Sequence, residues 1–338
     1  MNSRCYVIGE AGLNHNGSMD LAKSLIDLAA EAGADAVKFQ KRNVATLAVG
    51  ETLNAKDERF PSLGKTYREI RETLEFSFEQ YQDLKCHAET RKIDFFCTAF
   101  DVPSTDFLEQ LGVTKYKLAS HSVTNLPLLR YLAGIGKPVI MSTGMCSWDE
   151  LDTAVDIFKN AKAQLTLLHC VSAYPTQPEE CNLRLIDTLR NRYAVPVGFS
   201  GHEIGYVPTL VAVGMGAVAV ERHFTMSNTL EGFDHKMSLN PDNFKSMVAE
   251  IRRVEQMRGT GEKSVTEREM ITRNKYHVSM ASSRPIRKGE KLTEDMVNYR
   301  NPGTGIPVKE AMKVLGKTAL ADIPQDVLIR ADMFEGSR

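Results

Sequence analysis

The chain has 338 residues, 42% hydrophobic and 25% charged, which is enough for one large domain and one small one. A formal charge of −1 excludes the basic footprint of a nucleic-acid or anionic-membrane binder. No stretch reaches the apolar length of a membrane span, about 18 residues.

From Cys5 to Met257, strand-like and helix-like segments alternate. Short β-branched and aromatic runs at 6–9, 36–39, 95–98, 116–119, 138–142, 165–170, 196–199 and 217–222 predict eight strands. Apolar residues at helical spacing over 19–32, 78–91, 148–161, 207–215 and 241–257 predict helices between and after them. Eight such units over roughly 250 residues predict an α/β fold of the (β/α)₈ TIM-barrel type. A doubly wound sheet is the alternative, but no Gly-x-Gly-x-x-Gly follows the first strand. Two stretches exceed the minimal repeat, 44–67 after strand 2 and 225–236 after strand 8. Loops at that end of a barrel carry the active site, so both are candidate substrate covers.

Beyond Arg258-Gly259-Thr260-Gly261 the composition changes. A TIM-barrel domain over 1–260, a charged linker over 261–275 and a small β-rich domain over 276–338 are the predicted divisions. Short strands and turns are expected at 278–281, 287–290, 300–305 and 319–321. A domain of about 60 residues has a marginal core, so it is expected to dock on another surface. Six scattered cysteines, Cys5, Cys86, Cys97, Cys146, Cys170 and Cys181, lack metal spacing and predict reduced thiols. Met1-Asn2-Ser3-Arg4 lacks the apolar run of a signal peptide, so a cytoplasmic protein is expected.

The chemistry concentrates at strand ends. His202 closes Val197-Gly198-Phe199-Ser200-Gly201-His202, and His223 closes Val220-Glu221-Arg222-His223. One crossover separates them, so they should lie on adjacent parallel strands about 4.8 Å apart and share one divalent ion. Alternation places Ala36, Lys38 and Gln40 inside the barrel, with Val37 and Phe39 facing the helices. Lys115 and Lys117 share a face, with Lys117 nearer the mouth. Interior lysines need a counter-charge, which suggests an anion site. Thr98, Ser120, Ser142 and Ser200 at strand ends extend that cradle, and Gly144 would let backbone N–H groups approach an anion. Glu10 and Glu221 are interior carboxylates, and Asp234 lies in the last loop. His169 reads as a core histidine, and His15 as a substrate contact or a turn residue.

The ordered motifs together resemble the N-acetylneuraminate (sialic acid) synthases and their legionaminic- and pseudaminic-type relatives. They are Glu10-Ala-Gly-Leu-Asn-His15-Asn-Gly-Ser18, Ala36-Val-Lys-Phe-Gln40, Lys117-Leu-Ala-Ser120 and Met141-Ser-Thr-Gly-Met145. They continue through Leu168-His-Cys-Val-Ser-Ala-Tyr-Pro-Thr176, Gly198-Phe-Ser-Gly-His202 and Glu221-Arg-His-Phe-Thr225. Asn301-Pro-Gly-Thr-Gly305 resembles the antifreeze-like (SAF) domain of that family. His121-Ser122 after Ser120 resembles the spore-coat polysaccharide branch. Ser172, where relatives often carry Asn, and Asn301, where they carry Arg before Pro-Gly, also depart from the sialic acid pattern. These departures leave the acceptor open.

The resemblance implies condensation of phosphoenolpyruvate with an N-acyl amino-sugar aldehyde, giving a nine-carbon 2-keto-3-deoxy acid and phosphate. It implies that Lys38, Thr98, Lys117, Ser120, Ser142, Ser172 and Ser200 hold phosphoenolpyruvate. Glu10, Gln40, Tyr174 and Asp234 would hold the sugar, and Arg300, with Asn301 as the alternative, would reach it from the SAF domain. His202 and His223 would bind a divalent metal, usually manganese, with magnesium or cobalt as alternatives. Glu10 or Glu221 would position the attacking water. An interleaved homodimer is implied, with no nucleic acid and no membrane as partner. Competing readings are a 3-deoxy-octulosonate or heptulosonate phosphate-type synthase and a lysine Schiff-base aldolase using pyruvate.

Overall fold

A computed structural model describes residues 4–336. Eight parallel strands close into a barrel in chain order. They are β1 (Tyr6–Gly12), β2 (Ala36–Lys41), β3 (Asp94–Ala99), β4 (Tyr116–Leu118), β5 (Val139–Ser142), β6 (Leu165–Cys170), β7 (Val197–Gly201) and β8 (Ala219–His223). Helices follow the strands, as the alternating pattern predicts. Their starts are written locally: Ser18, Ser77 and Ser147 accept from backbone N–H groups of the first turn, the latter two in capping boxes with Gln80 and Glu150. In helix Met19–Glu31, Ala22, Leu25, Ile26 and Ala29 recur at helical spacing, and all are buried against the barrel.

Strand alternation sorts the core into layers. Val37, Phe39, Cys97, Leu118, Met141 and Leu167 join the large core between strands and helices. Ile8, Ala36, Phe96, Ile140, Leu168 and Ala219 point inward and form an apolar plug. Two residues further along the same strands stand Glu10, Lys38, Thr98, Ser142, Cys170 and Glu221, all buried. The polar layer is thus the next step of the period-two pattern above a dry floor.

Register aligns this layer. Glu10 pairs with Lys38 on one side and with His223 on the other, Gln40 with Thr98, Thr98 with Lys117, and Ser200 with Glu221.

The insertion after β2 is not a polar loop. It forms helices Val44–Leu47, Gly50–Asn54 and Tyr67–Thr73. Leu13, Leu63, Ile70 and Leu74 make a small apolar cluster there, against which Phe60 and Phe233 pack. The rings of Phe60 and Phe233 lie 4.5 Å apart, so the insertions after β2 and β8 brace each other.

The chain divides into two compact units between Thr260 and Gly261. In the second, the stretch expected as a linker carries a helix, Glu267–Tyr276. It is capped by a Thr266–Glu269 box, and none of its residues is buried. Local capping therefore makes a helix where composition alone suggested an open chain. Beyond it, β9 (Ser279–Ser282) and β10 (Val297–Arg300) pair antiparallel. Met280, Ile286, Leu292, Val314, Ile329 and Phe334 are among the residues of a separate core. The segments at 287–290 and 300–305 are turns apart from Arg300 itself, and Ala319 makes an isolated bridge to Phe334. Among the described residues, no helix is long and apolar enough to cross a membrane.

Candidate active site

A narrow cleft of about 100 Å³ opens at the C-terminal mouth of the barrel. It is lined by Glu10, Lys38, Gln40, Thr98, Lys117, Ser120, Ser142, Ser172, Tyr174, Ser200, His202, Glu221 and His223. Asp234 stands beside the cleft, its Oδ2 3.7 Å from His223 Nδ1, and Gly144 and Lys115 do not line it.

Two buried ammonium groups form its base. Lys38 Nζ donates to Thr98 Oγ1 at 2.6 Å and pairs with Glu10 Oε2 at 2.6 Å. Lys117 Nζ donates to Ser142 Oγ at 2.6 Å and to the Leu118 carbonyl at 3.0 Å. Glu221 stands between them, 3.8 Å from Lys38 and 3.9 Å from Lys117, and accepts from Ser200 Oγ at 3.3 Å. The three charges are 2–7% exposed, so their interactions are only weakly screened.

Burial pushes the Lys117 ammonium below its ordinary value, against the pull of Glu221. Burial lifts the Glu10 carboxyl to about 7, which Lys38 opposes and Glu221 reinforces. Glu221 resists the same burial, because Lys117 and Lys38 hold it below the usual carboxylate range. Two carboxylates in one pocket thus take different ionisation tendencies from their neighbours.

The serines converge on Gly144. Its N–H donates to Ser120 Oγ at 3.0 Å, so it orients a hydroxyl rather than standing free for an anion. This corrects the expectation that the Gly144 backbone itself makes the cradle. A Cβ at this position would lie 3.0 Å from Ser120 Oγ and would collide with Ser172 Oγ. Glycine is required here by close approach, since two side chains occupy the space a methyl group would take.

On the opposite wall, the rings of His202 and His223 have centroids 5.5 Å apart. His202 Nδ1 lies 2.8 Å from the Val171 carbonyl, which can only accept, so Nδ1 carries the proton and Nε2 keeps its lone pair. His223 Nδ1 is buried without a hydrogen-bond partner. Burial pushes the His223 imidazole down to about 4, keeping it neutral. Among the described residues, no group of three or more His, Cys, Asp or Glu side chains has metal-ligand spacing. Two imidazoles on neighbouring strands suit a divalent first-row ion whose other positions are left to substrate or water. The Tyr174 ring lies 4.1 Å from that of His202.

Several expectations resolve at other places. Lys115 lies toward the N-terminal end of the barrel, bonded to Asp94 at 2.8 Å and to Tyr6 at 2.9 Å. It therefore belongs to no site shared with Lys117. His169 is a satisfied core histidine, 2.7 Å from the Cys181 carbonyl. His15 is buried, with Nδ1 accepting from the Gly17 N–H at 3.1 Å, and so is a turn residue. Arg300 ends β10 in the second unit, where it pairs with Asp326 at 2.6 Å.

Other residues were missed. Arg222 projects away from Glu221 and His223 and forms a buried pair with Glu203, which also accepts from Thr209 at 3.1 Å. This pair braces the loop that carries His202. Arg42 continues the Lys38–Gln40 alternation one step beyond β2, a signal the sequence offers. Its guanidinium donates to Gln40 Oε1 at 2.5 Å and lies 3.7 Å from the Phe100 ring centroid.

A closed (β/α)₈ barrel with paired lysines, hydroxyls and an imidazole pair at its mouth defines an enzyme built around an oxyanion substrate. Residues 25–263 match the NeuB family and residues 278–335 the SAF domain, and the chain belongs to the NeuB family. It is 38% identical over 319 residues to the N,N'-diacetyllegionaminic acid synthase of Legionella pneumophila, covering 92% of this chain and 89% of that one. The N-acetylneuraminic acid (sialic acid) synthetase from Leptospira borgpetersenii superposes with a TM-score of 0.71 at 36% identity, over 80% of this chain and 90% of that one. The spore coat polysaccharide biosynthesis protein spsE of Bacillus subtilis gives a TM-score of 0.64 at 32% identity, over 98% and 95%.

Proposed function

We propose that this chain condenses phosphoenolpyruvate with an N-acyl amino-sugar aldehyde, giving a nonulosonic 2-keto-3-deoxy acid and phosphate. The observation that carries the reading is the buried Lys38–Lys117 pair, flanked by Thr98 and Ser142 and faced by the imidazoles of His202 and His223. The phosphate and carboxylate of phosphoenolpyruvate supply the negative charge that two lysines in a dry barrel call for. Ser120, Ser172 and Ser200 add donors around it.

His202 and His223 would hold a divalent ion, manganese by the family resemblance, which supplies Lewis-acid polarisation of the aldehyde oxygen. With the sugar held by Glu10, Gln40, Tyr174 and Asp234, the enol C3 attacks the aldehyde carbon, a C–C bond forms as the C=O π bond opens, and the alkoxide so formed takes a proton from solvent. Positive charge then develops at C2, where the Glu221 carboxylate offsets it. Water adds at C2, and its proton passes to a carboxylate, Glu10 or Glu221. Phosphate leaves by C–O cleavage, with Lys38 and Lys117 balancing its charge. Arg300, or Asn301 beside it, would reach the sugar from the SAF unit of a partner chain in an interleaved homodimer.

Phosphate release from phosphoenolpyruvate across a panel of N-acyl hexoses tests the reading. Release should require both a sugar and a divalent metal. Full activity in excess chelator with pyruvate as donor would instead indicate a Schiff-base aldolase.

A further inference from the structure

None of Asn14, His15, Asn16 and Gly17 lines the cleft, yet their turn after β1 is tied at several points to the loop after β8. Asn14 is 1% exposed. Its Nδ2 donates to the Phe224 carbonyl and to Ser238 Oγ, each at 2.8 Å. A carbonyl only accepts, so the orientation of the amide is fixed. Ser238 Oγ donates in turn to the Asp234 carbonyl at 2.7 Å. One buried amide therefore ties down both the residue after His223 and the backbone of Asp234. Asn14 Oδ1 is buried without a partner, a cost that apolar packing at this position would avoid.

Asn16 makes the second tie. Its Nδ2 donates to the Glu231 carbonyl at 2.7 Å, which leaves Oδ1 facing His235 Nε2 at 3.2 Å. The His235 ring therefore donates from Nε2, and its Nδ1 accepts from Thr225 Oγ1 at 2.7 Å. Gly232 permits this approach: a Cβ there would stand 2.7 Å from the His235 ring and 2.8 Å from Asn16 Oδ1.

The turn is fixed on its other side as well. A Cβ on Gly17 would overlap the carbonyl oxygen of Thr73, at the end of helix Tyr67–Thr73, and the His15 ring lies 4.4 Å from that of Phe76. The loop after β8 has no comparable core. Its apolar side chains at 226–234 are Met226, Leu230 and Phe233, and none is fully buried. Hydrogen bonds to the turn are thus a main restraint on this loop.

We propose that Asn14 and Asn16 are positioning residues that clasp the loop after β8 to the turn after β1 and so set the Asp234 carboxylate beside His223 before the acceptor sugar arrives. The inference rests on the synthase reading above, in which Asp234 holds the sugar, and adds the residues that place it. Lys38, Thr98, Lys117 and Ser142 stand on β2 to β5, outside the clasp, so its loss should fall on the sugar and not on phosphoenolpyruvate.

The experiment measures phosphate release by the full chain with phosphoenolpyruvate, manganese and the N-acyl hexose that the wild type turns over fastest. In Asn14→Ala, kcat/KM for the sugar should fall about 10- to 100-fold, the scale of a misplacement near 1 Å, while the KM for phosphoenolpyruvate stays near wild type. Ser238→Ala, which keeps the bond from Asn14 to Phe224, should give a smaller loss in the same direction. Asp234→Ala completes a double-mutant cycle. In that background Asn14→Ala should cost almost nothing further, because the group it positions is gone. Equal losses for both substrates, or a loss that simply adds to that of Asp234→Ala, would mean that Asn14 only supports the fold and would overturn the inference. If Asn14→Ala does not fold, the same cycle with Ser238→Ala decides. An unchanged kcat/KM for the sugar in Asn16→Ala removes Asn16 from the clasp. Amide hydrogen exchange reads the clasp without turnover: the backbone over 225–239 should exchange faster in Asn14→Ala than in the wild type, and unchanged exchange would overturn the inference. No phosphate from the wild type with any sugar would overturn the synthase reading, and the exchange comparison would then decide the clasp alone.

Discussion

Gly144→Ala probes the anion cradle with a single methyl group. The added Cβ would stand 3.0 Å from Ser120 Oγ and would overlap Ser172 Oγ. The two hydroxyls must move apart, or the loop after β5 must shift, and overpacking of this kind costs about 1–3 kcal/mol. The displaced groups are ones proposed to meet phosphoenolpyruvate, so the penalty should fall on substrate binding more than on folding. Loss of one hydrogen bond to a charged ligand, about 1.5–3 kcal/mol, predicts a rise in KM for phosphoenolpyruvate of roughly 10- to 100-fold. The assay is phosphate release at varied phosphoenolpyruvate with saturating sugar and metal. Adding Ser172→Gly should relieve the overlap and recover part of the loss. Unchanged phosphoenolpyruvate kinetics in Gly144→Ala would refute the cradle.

Other perturbations address separate parts. His202→Ala and His223→Ala should each abolish turnover at low manganese while the circular dichroism spectrum and melting temperature stay near wild type; full activity in either would remove the metal assignment. A barrel-dead chain, His202→Ala, mixed with a SAF-dead chain, Arg300→Ala, should regain activity on subunit exchange if the small unit acts on a partner's site, and no recovery would mean it acts on its own. Acid sensitivity follows from His15, which burial holds at about 3, far below its unfolded value of 6.5. Its contribution is full above about pH 6.5 and is lost as pH falls toward 3. Urea midpoints should therefore drop between pH 6.5 and 5, by about 1.4 kcal/mol per pH unit from this group. His15→Asn should flatten that slope by one proton, and an unchanged slope would contradict it.

Much of the site was legible because a barrel converts sequence parity into position. Lys38 and Gln40 alternate with Val37 and Phe39, and that alternation alone sends them to the mouth. His202 and His223 were legible for a similar reason, since one crossover makes their strands neighbours. Legibility ended where strands end. Gly144 lies just past β5, where the backbone turns and parity no longer fixes direction. The Gly144 N–H goes to Ser120, a partner that only the folded loops supply. Arg222 was hidden for the opposite reason: its parity is clear, but Glu203, its counter-ion, lies in a loop with no periodic signal. The brace between Phe60 and Phe233 joins insertions far apart in the chain, and neither insertion reveals its partner. The segment Glu267–Tyr276 is helical because the Thr266–Glu269 cap outweighs its charged composition.

The central claim is that phosphoenolpyruvate is the donor and loses phosphate by C–O cleavage after its C3 attacks an amino-sugar aldehyde. Phosphoenolpyruvate carrying ¹⁸O in its C–O–P bridge, supplied with an N-acyl amino-sugar and manganese, tests this most directly. Phosphate should appear one-for-one with the 2-keto-3-deoxy acid and should retain the bridging label, read as an isotope shift in its ³¹P resonance. Unlabelled phosphate, or keto acid formed without phosphate, would contradict the account.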